Sequence, residues 1–449
     1  MKFNLLKNKE IKNAGWIIGE QILQMVISLV VGVLTARYLG PNNFGSLNYT
    51  ASFVAFFSSI ATLGMEGVLI KKIIEHPERE GQYLGSCIFY RLLSSLFSII
   101  CISVIVYLLN PNDTTKLFLV LLQSVQLVFR ATHILDSWFQ RHLKSKYVAI
   151  GKMIAYIVVA SYKVFLLATA KNIYWFAFSN SLNDIVVALL LYVFYKHEKA
   201  QKFHVNFNLG RDVLKDSYHF IISGLMVAIY GQMDKIMIGQ MMTDIDVGFY
   251  TTATAICGMW LFVPIAIINS FRPTIMEFKQ SGNEKMYQYR LKQLYSLIIW
   301  FCIIVSLGIA LLSKYIILFL YGEEYLGAVG ALRIVVWCET FSMIGTARGI
   351  WVLCENKNKY VKYYLAIGAI VNLVLNYILI PLYGIEGASI ATLCTQIVTS
   401  LIAPLFFKET RVFTRIALQS FLFSWYFKKG NGYGIKENFE EKQNNNKSI

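Results

Sequence analysis

The sequence predicts an all-α protein that crosses a membrane about twelve times, and three observations support this prediction. Of the 449 residues, 56% are hydrophobic and 15% are charged, and the mean hydropathy is +0.52, whereas about a quarter of the residues of a water-soluble domain are charged. Apolar runs of about 20 residues recur along the chain, which is the length that a helix needs to cross hydrocarbon. The basic residues lie mostly in short connectors, so the net charge of +16 indicates a topology signal rather than a nucleic-acid surface.

The apolar windows between charged or Gly/Pro breaks give the positions of the predicted spans. We expect them at 14–36, 46–70, 86–109, 116–135, 147–170, 173–195, 217–239, 249–271, 294–320, 326–354, 361–381 and 385–407. The first apolar stretch is longer than the core of a signal peptide and lacks a small-residue cleavage site, so we expect it to be retained as the first span.

The distribution of charge predicts the orientation in the membrane. Of the 42 Lys and Arg residues, 31 lie in the connectors on the side of the N-terminus, and the opposite connectors contain only Arg37, Lys116, Lys171 and Lys314. Because cytoplasmic loops carry an excess of Lys and Arg, we expect an inner (plasma) membrane protein with both termini in the cytoplasm.

Six predicted spans precede a basic connector and six follow it, which predicts two lobes. We expect an N-terminal lobe at 1–200, a cytoplasmic connector at 201–216, a C-terminal lobe at 217–407 and a cytoplasmic tail at 408–449. An even number of helices in each half gives the halves the same orientation, related by a pseudo-two-fold axis along the membrane normal. In the tail, 412–427 is too short to span and is predicted to lie at the interface, and 436–449 is predicted to be disordered.

The two halves contain similar segments at corresponding places. Residues 35–49 read TARYLGPNNFGSLNY between the first two spans, and residues 235–250 read KIMIGQMMTDIDVGFY between the seventh and eighth, with Gly45 aligned to Gly248. Together with IPLYGIEGASIAT at 380–392 and LYGEEY at 320–325, these segments resemble the polysaccharide flippase family. That family includes the Wzx-type O-antigen and teichuronic-acid exporters of the multidrug/oligosaccharidyl-lipid/polysaccharide exporter superfamily.

The resemblance covers about residues 10–407, and it implies a MATE-like fold whose two lobes surround a cavity that opens alternately to either side. The activity that it implies is the movement of an undecaprenyl-diphosphate-linked oligosaccharide from the cytoplasmic to the outer leaflet. The implied partners are this substrate, membrane lipids, and a polymerase and other polysaccharide-assembly proteins. The resemblance implies a carrier and not an enzyme.

Ionisable groups inside a bilayer are costly unless protein or water compensates them, so they are the candidates for function. Cationic side chains there would bind a diphosphate headgroup, and we assign this role to Arg91, Arg130, Lys163, Lys235, Arg333 and Arg348. Arg37 and Arg272, at the ends of spans, are further candidates, although snorkelling to the interface explains each of them as well. Buried carboxylates can bind a coupling proton or sodium ion, and the candidates are Glu66, Asp184, Asp234 and Glu339.

Polar residues at helical spacing predict wet or hydrogen-bonded faces. In the fourth span, polar residues at steps of three and four lie on one helical face, namely Gln123, Gln126, Arg130, His133 and Ser137. From this stripe we add Gln126 and His133 to the candidate substrate-binding residues. Asn372 and Asn376 lie one turn apart in the eleventh span, and Thr392 begins a similar stripe in the twelfth. Such stripes can equally be hydrogen bonds between helices. Likewise, Asp234 and Lys235 point about 100° apart and can form structural ion pairs with other spans instead.

Two alternative functions remain open. A multidrug or organic-cation antiporter of the same superfamily should prefer acidic groups in its cavity, whereas the candidates inside the spans are six basic and four acidic residues. A membrane polysaccharide polymerase or ligase should carry a large external loop, which this chain lacks. No Walker A, HExxH or dinucleotide-binding motif occurs, and the seven cysteines lie in apolar segments without a CxxC pair. We therefore expect no cofactor other than a coupling H⁺ or Na⁺.

Overall fold

The computed structural model describes residues 9–421, which form α-helices and short 3₁₀ and π segments without a β-strand. The helices are α1 (Lys9–Ala61), α2 (Glu66–Glu75), α3 (Glu80–Leu109), α4 (Thr114–Arg130), α5 (Leu135–Arg141), α6 (Ser145–Ala168), α7 (Ile173–His197), α8 (Phe207–Met241), α9 (Asp244–Gly258), α10 (Phe262–Gln280), α11 (Glu284–Leu320), α12 (Val329–Val335), α13 (Cys338–Cys354), α14 (Val361–Ile397) and α15 (Arg411–Phe421).

The predicted fold class is confirmed, because the protein is an all-α, multi-pass membrane protein. Within residues 9–421, nine helical stretches are long and apolar enough to cross a bilayer. The segment Glu323–Val335 and α13 add a tenth if this pair, bent by 45°, forms one span. The number of twelve spans and the division into two lobes stay predictions.

Two of the long helices are each interrupted by a glycine with positive φ. Helix α1 has 53 residues, about 80 Å at 1.5 Å per residue, and Gly40 inside it has φ 68° and ψ 168° just before Pro41. Helix α14 has 37 residues, and Gly384 inside it has φ 60° and ψ −137°. Positive φ suits glycine because it lacks a Cβ. Both breaks fall where the sequence predicts a connector between two spans.

Other predicted spans are broken in the structure. The span predicted at 249–271 consists of α9 and α10, which are separated by Met259, Trp260 and Leu261, and Pro264 lies in the first turn of α10. Proline is tolerated in a first turn because the N–H that it lacks has no intrahelical partner there.

The predicted connector at 201–216 is only partly irregular, since α8 begins at Phe207. The backbone N–H of Gly81 donates to Gln201 Oε1 over 3.0 Å, and the backbone N–H of His204 donates to the Gly81 carbonyl over 3.2 Å. A Cβ on Gly81 would lie 2.2 Å from the Lys202 carbonyl oxygen. Glycine at the start of α3 therefore lets the connector lie directly against this helix.

The tail segment predicted to lie at the interface contains α15, which packs against the helix bundle. Phe413 and Ala417 are fully buried in a core cluster with residues of α11 and α13. Ser296 of α11 donates a hydrogen bond of 2.6 Å to the Ser420 carbonyl. The rest of the predicted tail, at 422–449, including the segment predicted to be disordered, lies outside the described residues.

The two similar segments pack against each other. A Cβ on Gly45 of α1 would lie 1.6 Å from the Asp244 carbonyl oxygen, and a Cβ on Gly248 of α9 would lie 2.3 Å from the Pro41 carbonyl oxygen. The largest core cluster contains residues of both halves, including Tyr49 of the first and Tyr250 of the second. We call the end of the bundle that contains this contact the outer end, because the charge pattern predicts that it faces outward.

We predict that Gly45→Ala lowers the melting temperature of the purified protein by several degrees. Overpacking of a filled interior costs about 1–3 kcal/mol, which exceeds the gain in helix propensity from alanine. Gly32→Ala is the matched control in the same helix, because a Cβ at Gly32 meets no atom within 4 Å. Equal melting temperatures for the two variants would show that the halves do not pack as described.

Candidate functional site

Asp234 of α8 lies in a buried polar cluster that three helices form. Its side chain accepts hydrogen bonds from Asn372 Nδ2 over 3.0 Å, Asn376 Nδ2 over 2.6 Å, Tyr250 OH over 2.7 Å and Thr392 Oγ1 over 2.5 Å. Asp234 is 5% exposed and both asparagines are fully buried. Four donors around one carboxylate stabilise its charged form at a depth where an isolated charge would be very costly.

The same cluster has the chemistry of a small cation site. The side-chain oxygens of Asn372 and Asn376 are buried and accept no hydrogen bond. If either amide group rotated by 180°, its oxygen would point toward Asp234. That oxygen, the Asp234 carboxylate and the Thr392 hydroxyl would then form a set of oxygen ligands. Hard cations such as Na⁺ prefer oxygen ligands, so the residues present fit such an ion.

The positions of these residues follow from helix geometry. Asn372 and Asn376 are one turn apart on α14, so both reach the same side of α8. Thr392 follows the break at Gly384, which returns the chain toward the same carboxylate. Tyr250 comes from α9, the helix that immediately follows α8. The cluster therefore depends on the packing of α8, α9 and α14.

Lys235, adjacent to Asp234, differs from the other charged side chains of α8. It is half-buried, and within residues 9–421 it has neither a hydrogen bond nor an ion pair. Helix α8 packs against α14 on the side of Asp234 and also against α1 of the first half. Lys235 projects about 100° from Asp234 and forms no hydrogen bond with the cluster, although the charge of Asp234 still acts on it.

A second cluster of charged side chains lies in the first half. Arg130 Nη1 donates to Ser58 Oγ over 2.5 Å, and Arg130 Nε lies 3.5 Å from Asp184 Oδ1. His133 Nε2 lies 3.5 Å from the same carboxylate oxygen. The Arg130 side chain is 37% exposed, whereas that of Asp184 is 4% exposed. Arg130 therefore has a carboxylate partner and still reaches an accessible surface.

Arg91 of α3 is the most deeply buried cation among the predicted site residues. Its side chain is 1% exposed, and Nη2 lies 3.4 Å from Glu66 Oε1, whose side chain is 63% exposed. Arg91 Nε and Nη1 are buried and have no hydrogen-bond partner. The exposed Glu66 carboxylate contacts only Nη2, so two other donors of this guanidinium remain unsatisfied.

Arg348 interacts with the protein itself. Its Nη1 donates to the Thr399 carbonyl over 2.6 Å and lies 3.4 Å from the Ser400 carbonyl, both in a π-helical turn, Val398–Ile402. The guanidinium also stacks 4.6 Å from the centre of the Tyr364 ring. A π turn frees carbonyls from the regular ladder, and Arg348 satisfies two of them.

The remaining predicted site residues are spread over the bundle. Arg333 is exposed and donates to Ser313 Oγ over 3.1 Å. Arg37 donates to the carbonyls of Leu320 and Phe319 at the end of α11. Gln126 donates to the Gln123 carbonyl, and Gln123 donates to the Leu47 carbonyl. Lys163 of α6 and Glu339 of α13 are half-buried, and Arg272 of α10 is exposed. The binding and coupling roles of all these residues stay predictions.

Sequence reasoning missed two buried residues with polar side chains, Glu20 and Tyr250. Glu20 is 6% exposed within the first predicted span, beside Lys152 and Tyr156. Glu20 lies inside a predicted span, so the search for charged residues that gave the four acidic candidates should have included it. Tyr250 gave no such signal, because an aromatic residue in an apolar stretch is ordinary and its hydroxyl contact depends on helix packing.

A family described as polysaccharide biosynthesis protein matches residues 11–279, which is more than half of the chain. The chain belongs to this family. The family predicted from the similar segments is therefore confirmed.

Several characterised or named relatives are flippases or transporters. The chain is 28% identical to the lipid II flippase MurJ of Bacillus subtilis over 185 residues, which are 38% of this chain and only 34% of MurJ. It is 22% identical to the probable low-salt glycan biosynthesis flippase Agl15 of Haloferax volcanii over 80% of this chain and 75% of that protein. It is 23% identical to a putative O-antigen transporter of Escherichia coli over 81% of this chain and 89% of that protein.

Solved structures with the same fold include MurJ in an inward closed conformation. The TM-score is 0.72 at 18% identity, with 95% of this chain and 94% of MurJ covered. An inward-facing multidrug resistance MATE transporter of the MOP superfamily gives a TM-score of 0.64 at 12% identity, with 91% of this chain and 99% of the transporter covered. These likenesses establish a fold shared with the MOP superfamily.

Proposed function

We propose that this protein is a flippase that moves a lipid-linked oligosaccharide, carried on undecaprenyl diphosphate, from the cytoplasmic to the outer leaflet of the inner membrane. The family match and the names of the relatives support the class of cargo. Alternating access of the two halves moves the sugar and diphosphate while the polyprenyl tail stays in lipid. The membrane lipids and the polysaccharide-assembly proteins, including a polymerase, are the partners in this proposal.

The observation on which the substrate assignment rests is the unpaired charge of Lys235. A half-buried ammonium that forms no hydrogen bond or ion pair is unfavourable in hydrocarbon, so the site gains free energy when an anion arrives. The diphosphate of the cargo supplies such an anion and accepts charge-assisted hydrogen bonds. Lys235 is therefore the first residue to which we assign substrate binding.

Two arginines of the first half support the same assignment, because each can replace a carboxylate partner with a phosphate. The two free donors of Arg91 and the accessible part of Arg130 can bind phosphate oxygens when Glu66 or Asp184 moves away. In the described conformation these carboxylates reduce the surplus of positive charge that the sequence predicts. Arg348 takes a structural role in this scheme, because backbone carbonyls and aromatic rings already surround it.

We assign ion coupling to the Asp234 cluster. A coupling ion must bind in one conformation and leave in another, and Asp234 and its four donors lie on three helices that can move relative to one another. Binding of Na⁺ or H⁺ there would change the contacts between α8, α9 and α14. The free energy of ion binding would thereby be linked to the conformational equilibrium.

Lys235→Ala should lower the rate at which reconstituted protein flips a fluorescent polyprenyl-diphosphate oligosaccharide by at least about tenfold, because a hydrogen bond to a charged group contributes about 1.5–3 kcal/mol. Lys235→Arg should retain most activity. Lys285→Ala removes an exposed lysine of α11 and is the control. Flipping by Lys235→Ala at the parent rate would contradict the substrate assignment, and efflux of an organic cation without flipping would support the multidrug alternative.

Asp234→Asn should abolish the stimulation of flipping by an imposed Na⁺ or pH gradient, since the amide has the shape of the carboxylate without its charge. The two gradients are imposed separately, and the ion-dependent rise in melting temperature is measured on the same proteins. Asp212→Asn, which changes an exposed carboxylate near the start of α8, is the control. Unchanged gradient dependence in Asp234→Asn would exclude this cluster as the coupling site.

A further inference from the structure

An ion pair joins the two halves of the protein at the outer end. Lys116 Nζ, in the first turn of α4, lies 3.0 Å from Asp244 Oδ1, at the start of α9. The two side chains are only 11% and 15% exposed. The other oxygen of this carboxylate, Asp244 Oδ2, accepts a hydrogen bond of 2.7 Å from Ser46 of α1. Three helices from both halves therefore meet at one carboxylate.

The surroundings of this pair extend the contact between the halves. Asn110 Nδ2 donates to Tyr49 OH over 3.1 Å, and Gln240 of α8 donates to the same hydroxyl. Lys116 Nζ lies 4.9 Å from the centre of the Tyr49 ring. The close backbone contact of Gly45 with Asp244 lies directly beside the pair.

We propose that Lys116 and Asp244 form a latch that keeps the outer end closed, and that the pair must separate before the outer end opens. The proposal goes beyond the proposed function, because it needs no assumption about the cargo or the coupling ion. In the closed state the pair compensates two partly buried charges, and in the open state water does so. Removing Lys116 leaves Asp244 without a cation, and removing Asp244 leaves Lys116 only the more exposed Asp113, 3.7 Å from Nζ. Both changes destabilise the closed state and shift the equilibrium toward opening.

One residue of the latch and one residue of the Asp234 cluster lie on the same helix, α9. Asp244 begins α9, and Tyr250, six residues later, donates to Asp234 over 2.7 Å. Six residues of a helix span only about 9 Å, so a displacement of α9 that separates the latch also moves Tyr250.

The test measures opening of the outer end with native cysteines as reporters. Two backgrounds each retain one of the seven cysteines and have alanine at the other six. Cys257 of α9 is fully buried in the cluster that contains Tyr49, and Cys302 of α11 is fully buried in the core of the second half. A small water-soluble methanethiosulfonate reagent is added to the outer side of proteoliposomes, and the labelling rates are compared.

Lys116→Ala and Asp244→Ala should each raise the labelling rate of Cys257 on the order of tenfold, as expected for a contact between coupled residues, and should leave Cys302 unchanged. The double exchange Lys116→Glu with Asp244→Lys should return the rate toward that of the parent. Lys72→Ala is the matched control. It breaks another ion pair of 3.0 Å between the halves, with Asp216 of α8, at the opposite end, and it should not raise the labelling of Cys257.

Three results would overturn the proposal. In the first, the labelling of Cys257 stays at the parent rate in both single variants. In the second, Cys302 is labelled to the same extent as Cys257, which indicates loss of packing rather than opening. Equal labelling of Cys257 in Lys72→Ala would show that any broken contact between the halves has this effect.

Discussion

A charged group in hydrocarbon is stable only when protein or water compensates it, and this constraint accounts for most polar contacts inside the bundle. Asp234 has four donors, Arg348 has two carbonyls and two aromatic rings, and Arg130 has Ser58 and Asp184. Lys235 has no such partner within residues 9–421. Within the same residues Lys163 also forms no hydrogen bond or ion pair, and two donors of Arg91 are unsatisfied. In the proposed mechanism an anionic cargo supplies compensation that the protein itself does not.

The α8 and α9 helices connect the parts of the proposed mechanism. They carry Asp234 and Lys235 near the end of α8, and Asp244, Gly248 and Tyr250 near the start of α9. The candidate ion site, the candidate substrate lysine and the closed contact with the first half are thus within about four helical turns of chain. In the proposed mechanism, a change at any of them is transmitted through packed helices rather than through a flexible loop, as a carrier that couples two events requires.

Hydropathy and charge spacing predicted the helical membrane fold because the bilayer imposes a length and a polarity on each span. The polar faces with Asn372, Asn376 and Thr392 were also visible at helical spacing, but their convergence on Asp234 depends on packing that periodicity does not specify. The partners of Arg348 are backbone carbonyls of a π turn, which leave no trace in the sequence. Charge positions likewise did not show that Arg91 and Arg130 have carboxylate neighbours.

Photo-crosslinking of the cargo tests the central claim most directly. A polyprenyl-diphosphate oligosaccharide with a photoreactive group beside the diphosphate is irradiated with the reconstituted protein, and the labelled peptides are identified by mass spectrometry. The account predicts labelling of the α8 peptide that contains Lys235, which excess unlabelled substrate prevents. Labelling confined to exposed apolar residues of α11, such as Leu311 and Phe319, without labelling of α8, would contradict it.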